Sequence, residues 1–206
     1  MSLAQLLKES TSEAHRIAES KPFQRETLRG DIDLYLLKTY FVQLHTLHLT
    51  LENHFDAYPE VGKLIDWSNS FHHSKNLTND IQSLCSQEDE NQILDCTNQL
   101  VDVINQSVNT DPLTLVGFFY VLEGSMNGNR YIVRAVRGKN SGCGCSFDYF
   151  DPYGENQPEE WSKFKGNLEA IELDTNQESC VVNAALEMFN GIGLISDAVM
   201  TQPINA

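Results

Sequence analysis

The chain has 206 residues, 29 acidic against 14 basic, with a formal net charge of −15, 41% hydrophobic residues and 9% aromatics. This length supports one domain with a sizeable core. The charge argues against nucleic acid and anionic membranes as partners, because each contact would work against repulsion.

In chain order the signals are helical. The N-terminal MSLAQLLKES is polar within a few residues and has no apolar signal core. Ser2 and Gln5 have the spacing of a capping box, and Leu3, Leu6, Leu7, Ala14, Ile17 and Ala18 then recur at helical spacing up to Pro22. Gly30-Asp31 opens a second helix, Ile32 to Phe55, whose apolar positions suggest burial on more than one side, and Pro59 stops it. Shorter helices are predicted at Asn79–Leu84 and Gln92–Ile104, separated by the acidic segment SQEDEN. Asp111-Pro112 starts a helix that runs past Gly124 and Gly128 to about Arg137. The longest unbroken apolar run, Leu115 to Leu122, is eight residues, against ~18 or more for a membrane span. Lys139 to Gly154 reads as a glycine-rich loop, Pro158 starts a helix through Ile171, and Thr175 with Glu178 caps a last helix through about Met200. No alternating strand pattern, repeat or linker interrupts this, so an all-α single domain over residues 1–206 is expected. Five cysteines at irregular spacing form no disulfide framework, which points to a soluble, cytoplasmic protein with reduced thiols.

Four groups of residues can carry chemistry. His15 lies at the edge of its helix's apolar stripe. It reads either as an axial iron ligand or as a helix-boundary histidine with a hydrogen-bond partner. Gly124 and Gly128, in GSMNGN, share one helix face, ~40° apart, and each costs ~1 kcal/mol against alanine. Close helix packing or a flat ligand against bare backbone would offset that cost. His45, His48 and Glu52 share a face that could present them to a metal, but the chain has no Glu-x-x-His element and no histidine beyond His73. Arg130, Arg134, Arg137 and Lys139 reverse the local charge. They would either receive an acidic partner or complement the helix dipole. Cys143-Gly144-Cys145 and His72-His73 are too sparse for a zinc site.

The run LKESTSEAHRIAES, Leu7 to Ser20, resembles the proximal-helix signature of the haem oxygenases, and YVLEGSMNGN, Tyr120 to Asn129, resembles their distal-helix glycine segment. Both occur in the family's order and separation, followed by two helices of the expected length. The resemblance implies a haem-oxygenase-like helical bundle of bacterial type, with haem b between a proximal and a kinked distal helix, serving as both cofactor and substrate. It implies oxidative ring opening at a meso carbon to biliverdin, carbon monoxide and ferrous iron. Oxygen and an external electron donor, a ferredoxin or flavin reductase, would be consumed. By this resemblance His15 is the axial ligand with Glu19 one turn later. Gly124, Ser125, Gly128 and Asn129 form the catalytic distal segment. Lys8, Lys163 and Lys165 anchor propionates, and Tyr120 and Phe189 line the pocket. Two positions depart from the family pattern: Ser125 stands where many members carry aspartate, and Asn129 where a second glycine is common. These departures leave open a haem-binding or haem-trafficking protein without efficient ring cleavage.

Overall fold

A computed structural model describes residues 1–84 and 92–203. The SQEDEN segment and Cys85 lie outside the described residues. The N-terminal apolar stripe folds as two helices, α1 (Leu3–Ser10) and α2 (Ser12–Glu19), rather than the one expected. The break falls at Thr11 (φ −100°, ψ 0°), whose hydroxyl donates to the Leu7 carbonyl at 2.7 Å. A threonine bonded back to its own helix competes with the regular ladder and bends the chain. Ser2 does cap α1 through the Gln5 N–H.

Pro22 and Pro59 begin helices as well as ending the reach of earlier ones. Each occupies the first turn, of α3 (Pro22–Arg29) and of α5 (Pro59–Leu64), where its missing N–H would be unpaired anyway. Gly30 closes α3 in the left-handed conformation, φ +72°. A Cβ there would also lie 2.6 Å from the Ala135 carbonyl oxygen. The long second helix, α4 (Leu34–Ala57), is capped by Asp33 accepting from the Tyr35 N–H at 2.8 Å. As the pattern suggests, it is buried on several sides: the consecutive residues Tyr40, Phe41, Val42, Gln43 and Leu44 are all buried.

Next come α6 (Ser74–Ser83) and α7 (Asp95–Thr110), both longer than their sequence signals. Helix α6 starts early because Glu52, from α4, accepts from the Ser74 N–H at 3.0 Å and from its hydroxyl. A cap supplied by another helix is invisible to local pattern. Helix α8 (Thr114–Lys139) runs unbroken through both glycines, and its start lies two residues beyond the Asp111-Pro112 signal. Helices α9 (Gln157–Ala170) and α10 (Thr175–Met200) complete the chain. The capping box of α10 is Asp174 with Gln177, one residue before the expected pair. No strand occurs among the described residues, and their cysteines are free thiols.

Helices α8 and α10 pack closely at Gly117, where a Cβ would meet the Val181 carbonyl oxygen at 2.0 Å. Among the described residues one helix, α10, is long and apolar enough to cross a membrane, but 56% of its most apolar stretch is buried in the bundle.

Candidate functional site

Helices α1, α2 and α3 on one side and α8 on another enclose a cavity of about 1000 Å³. That is the upper end of the range for small-molecule and cofactor sites, ~300–1,000 Å³. Helix α2 buries none of its own residues fully, so His15 stands on the cavity wall with its side chain 56% exposed. Its Nδ1 lies 3.6 Å from the Glu19 carboxylate one turn on, and its ring meets Phe189 of α10 edge to face at 5.7 Å. These contacts lie on one side of the ring, and an imidazole nitrogen turned to the cavity is a group that can bind a metal.

The other wall is the middle of α8: Tyr120, Gly124, Ser125, Gly128 and Asn129 all line the cavity. Only a side-chain tip from α9 approaches the glycines. A Cβ at Gly128 would meet nothing within 4 Å, and one at Gly124 would meet only the Trp161 ring, at 3.6 Å. The close-packing alternative therefore belongs to Gly117, which sequence reasoning passed over. Gly124 and Gly128 instead bare a strip of helix backbone to an open chamber. Between a histidine with a free ring nitrogen and a side-chain-free helix face, the cavity fits a planar, iron-bearing macrocycle.

Polar groups behind α8 form a buried chain that the sequence hardly revealed. Tyr149, from the 140–153 connection, lines the cavity, and its hydroxyl meets His48 Nε2 at 3.0 Å. The His48 ring sits edge to face with His73 at 5.5 Å. His73 Nε2 contacts Glu123 Oε2 at 3.0 Å and the Tyr153 hydroxyl at 3.2 Å. Burial, with His73 and His45 nearby, holds His48 well below its ordinary range, so its imidazole is neutral at pH 7. Burial likewise pushes the Tyr149 hydroxyl well above its ordinary range, partly offset by the nearby Ser125 hydroxyl. The one available signal was Glu123 within an apolar run, since a buried carboxylate must be paired.

The three-residue metal face on α4 does not assemble. His45 bonds to Thr78, His48 to Tyr149, and Glu52 caps α6. Among the propionate candidates, Lys8 lines the cavity. Lys163 and Lys165 do not: Lys163 pairs with Asp66 at 2.6 Å, and Lys165 rests over the Trp161 ring at 5.9 Å. In the basic stretch of α8, Arg137 donates to the Ser146 carbonyl at 2.7 Å and Lys139 pairs with Asp31. Arg130 and Arg134 form no ion pair among the described residues.

Comparison with known proteins agrees with this architecture. The family model "Heme oxygenase" matches residues 1–193. Heme oxygenase 2 of Rattus norvegicus is 25% identical over 197 residues, covering 91% of this chain and 62% of the relative. The protein of the same name from Oryctolagus cuniculus is 24% identical over the same length. The chain thus spans 62% of the length of these relatives. Among solved structures, heme oxygenase from Leptospira interrogans superposes with a TM-score of 0.84 at 20% identity, covering 96% of this chain and all of that one. Heme oxygenase-2 from Synechocystis sp. PCC 6803, solved with heme and NO, gives 0.87 at 17% identity, covering 97% and 85%. With a bundle of that fold and a family model matching nearly its whole length, the chain belongs to the haem oxygenase family.

Proposed function

We propose that the protein is a haem oxygenase, opening the haem ring at a meso carbon to yield biliverdin, carbon monoxide and ferrous iron. The observation that carries this reading is the pairing of His15 with the bare Gly124–Gly128 backbone in one cavity. Haem, when bound, supplies the iron that activates oxygen and the porphyrin that is consumed. His15 would hold that iron through its imidazole, with the Glu19 carboxylate one turn on, 3.6 Å from Nδ1, as the nearby acid. Lys8 offers a cation to the propionates at the rim. Gly124 and Gly128 let the macrocycle lie close to α8. Tyr149 and neutral His48 hold a proton at the Tyr149 hydroxyl, next to Ser125 and the cavity.

Electrons come from an external ferredoxin or flavin reductase. Arg130 and Arg134, exposed and without ion pairs among the described residues, offer an acidic donor a docking face.

To test the reading, the protein is loaded with hemin, given ascorbate in air, and followed through the Soret band. Decay of the band with release of bilin and carbon monoxide is expected. A stable band without either product supports the second reading, a haem-binding or haem-trafficking protein. That reading is favoured by Asn129, whose buried side chain occupies part of the distal wall.

A further inference from the structure

Asn129 differs from the other polar side chains around the cavity in how its burial is compensated. Ser125 donates to the Leu122 carbonyl at 2.7 Å and Asn127 to the Gly124 carbonyl at 3.2 Å. Thr11 and Thr27 bond to carbonyls of their own helices, each at 2.7 Å, and Tyr149 bonds to His48. Asn129 is only 8% exposed, yet its amide donates to nothing stronger than the Met126 thioether, at 3.5 Å. A carboxamide carries two N–H donors and a carbonyl acceptor, and a thioether is a weak acceptor. The second N–H and the carbonyl oxygen have no partner among the described residues, and the side chain lines the cavity one position beyond the bare backbone of Gly128. The amide therefore keeps donor and acceptor capacity that its own helix does not use, at a point where an acceptor inside the cavity can meet it.

Resting on the haem reading above, we propose that Asn129 is a distal positioning residue: its free N–H donates to a small ligand held on the iron side of the cavity and fixes the direction in which that ligand leans. The weak Met126 contact keeps the amide in place until such an acceptor arrives. A side chain at this point, beside an otherwise bare strip of helix, breaks the symmetry of the wall. It thereby favours one edge of the ring over the others.

The test is ligand affinity and vibration in the hemin-loaded full chain, with turnover prevented. Ferric protein is titrated with fluoride, and the reduced protein is bound to carbon monoxide and examined in the infrared. Asn129→Leu, which keeps the bulk and removes the donor, weakens fluoride binding about tenfold, the worth of one hydrogen bond to a charged acceptor. It also moves the C–O stretch to higher frequency. Met126→Leu, which removes the tether and keeps the amide, leaves fluoride affinity equal or tighter. Asn129→Ala reads the same quantities if the leucine variant does not fold. Wild-type fluoride affinity and an unmoved C–O band in the Asn129 variants overturn the proposal, as does Met126→Leu behaving like Asn129→Leu. Those outcomes leave the haem reading intact. Hemin spectra that do not depend on His15 overturn both.

Discussion

At the scale of single residues, the two kinds of glycine in α8 separate cleanly. Helical spacing alone put Gly124 and Gly128 on one face but could not say what faced them. The answer needed the positions of α9 and the cavity. Gly128→Ala adds a methyl group to open space, so urea unfolding should show a gain of about 0.5–1 kcal/mol from helix propensity. Gly128→Leu should fold equally well and lose hemin uptake in a Soret titration. Gly117→Ala, by contrast, drives a methyl group into backbone at 2.0 Å and should lower stability by about 2 kcal/mol or more. Helical spacing left His15 with two readings, and only the resemblance of its segment to the proximal-helix signature favoured the iron ligand. Replacing it with alanine should abolish the axial-histidine spectrum of the hemin complex while leaving the circular dichroism unchanged, because the side chain is 56% exposed. Lys163 and Lys165 stand outside the cavity lining. Sequence places them on α9 but does not reveal that Asp66 and Trp161 lie within their reach.

At the scale of elements, the sequence located helices well and their ends less well. Boundaries set by local chemistry, such as Asp33 before α4, fell close to the expected positions. Boundaries set by distant partners did not, as with α6 and its Glu52 cap. The 140–153 connection read as plain loop, yet it carries Tyr149 into the site. Asp80 of α6 holds it there, accepting from the Asp148 N–H at 2.9 Å and the Tyr149 N–H at 2.8 Å, while Arg137 grips Ser146. Asp80→Ala leaves the buried Tyr149 N–H unpaired, so a loss of about 2 kcal/mol or more is expected in denaturant unfolding. Hydrogen exchange at residues 148–150 should rise along with it.

At the scale of the molecule, charge and protonation become collective. Although the net charge is −15, Arg130 and Arg134 are exposed on α8 and form no ion pair among the described residues, next to the cavity-lining Asn129 and Ile132. Charge reversal of both should slow electron delivery from an acidic ferredoxin and weaken its salt dependence, while ascorbate-driven turnover stays near wild type. Buried His48 sets a pH response. His48 is held neutral in the fold, whereas in the unfolded chain it takes a proton near its ordinary pKa of ~6.5. The unfolded state therefore binds more protons below that pH, and stability falls as pH drops. The slope for this one group is about 1.4 kcal/mol per pH unit, from about pH 6.5 down towards the depressed native value. Urea midpoints measured between pH 7 and 5 should show this slope, and His48→Gln should flatten it.

The sequence by itself determined the helical class, the order of the elements and the two signature segments. Each depends on neighbours within a few residues: apolar spacing, capping side chains, prolines and glycines. Tertiary structure alone decided what those segments face. It gave the close packing to Gly117 and the open chamber to Gly128, and it scattered His45, His48 and Glu52 to three different partners. It also joined Glu123 to His73 across fifty positions of chain. Such outcomes depend on which surfaces meet, and helix periodicity fixes the face of a residue without fixing its opposite.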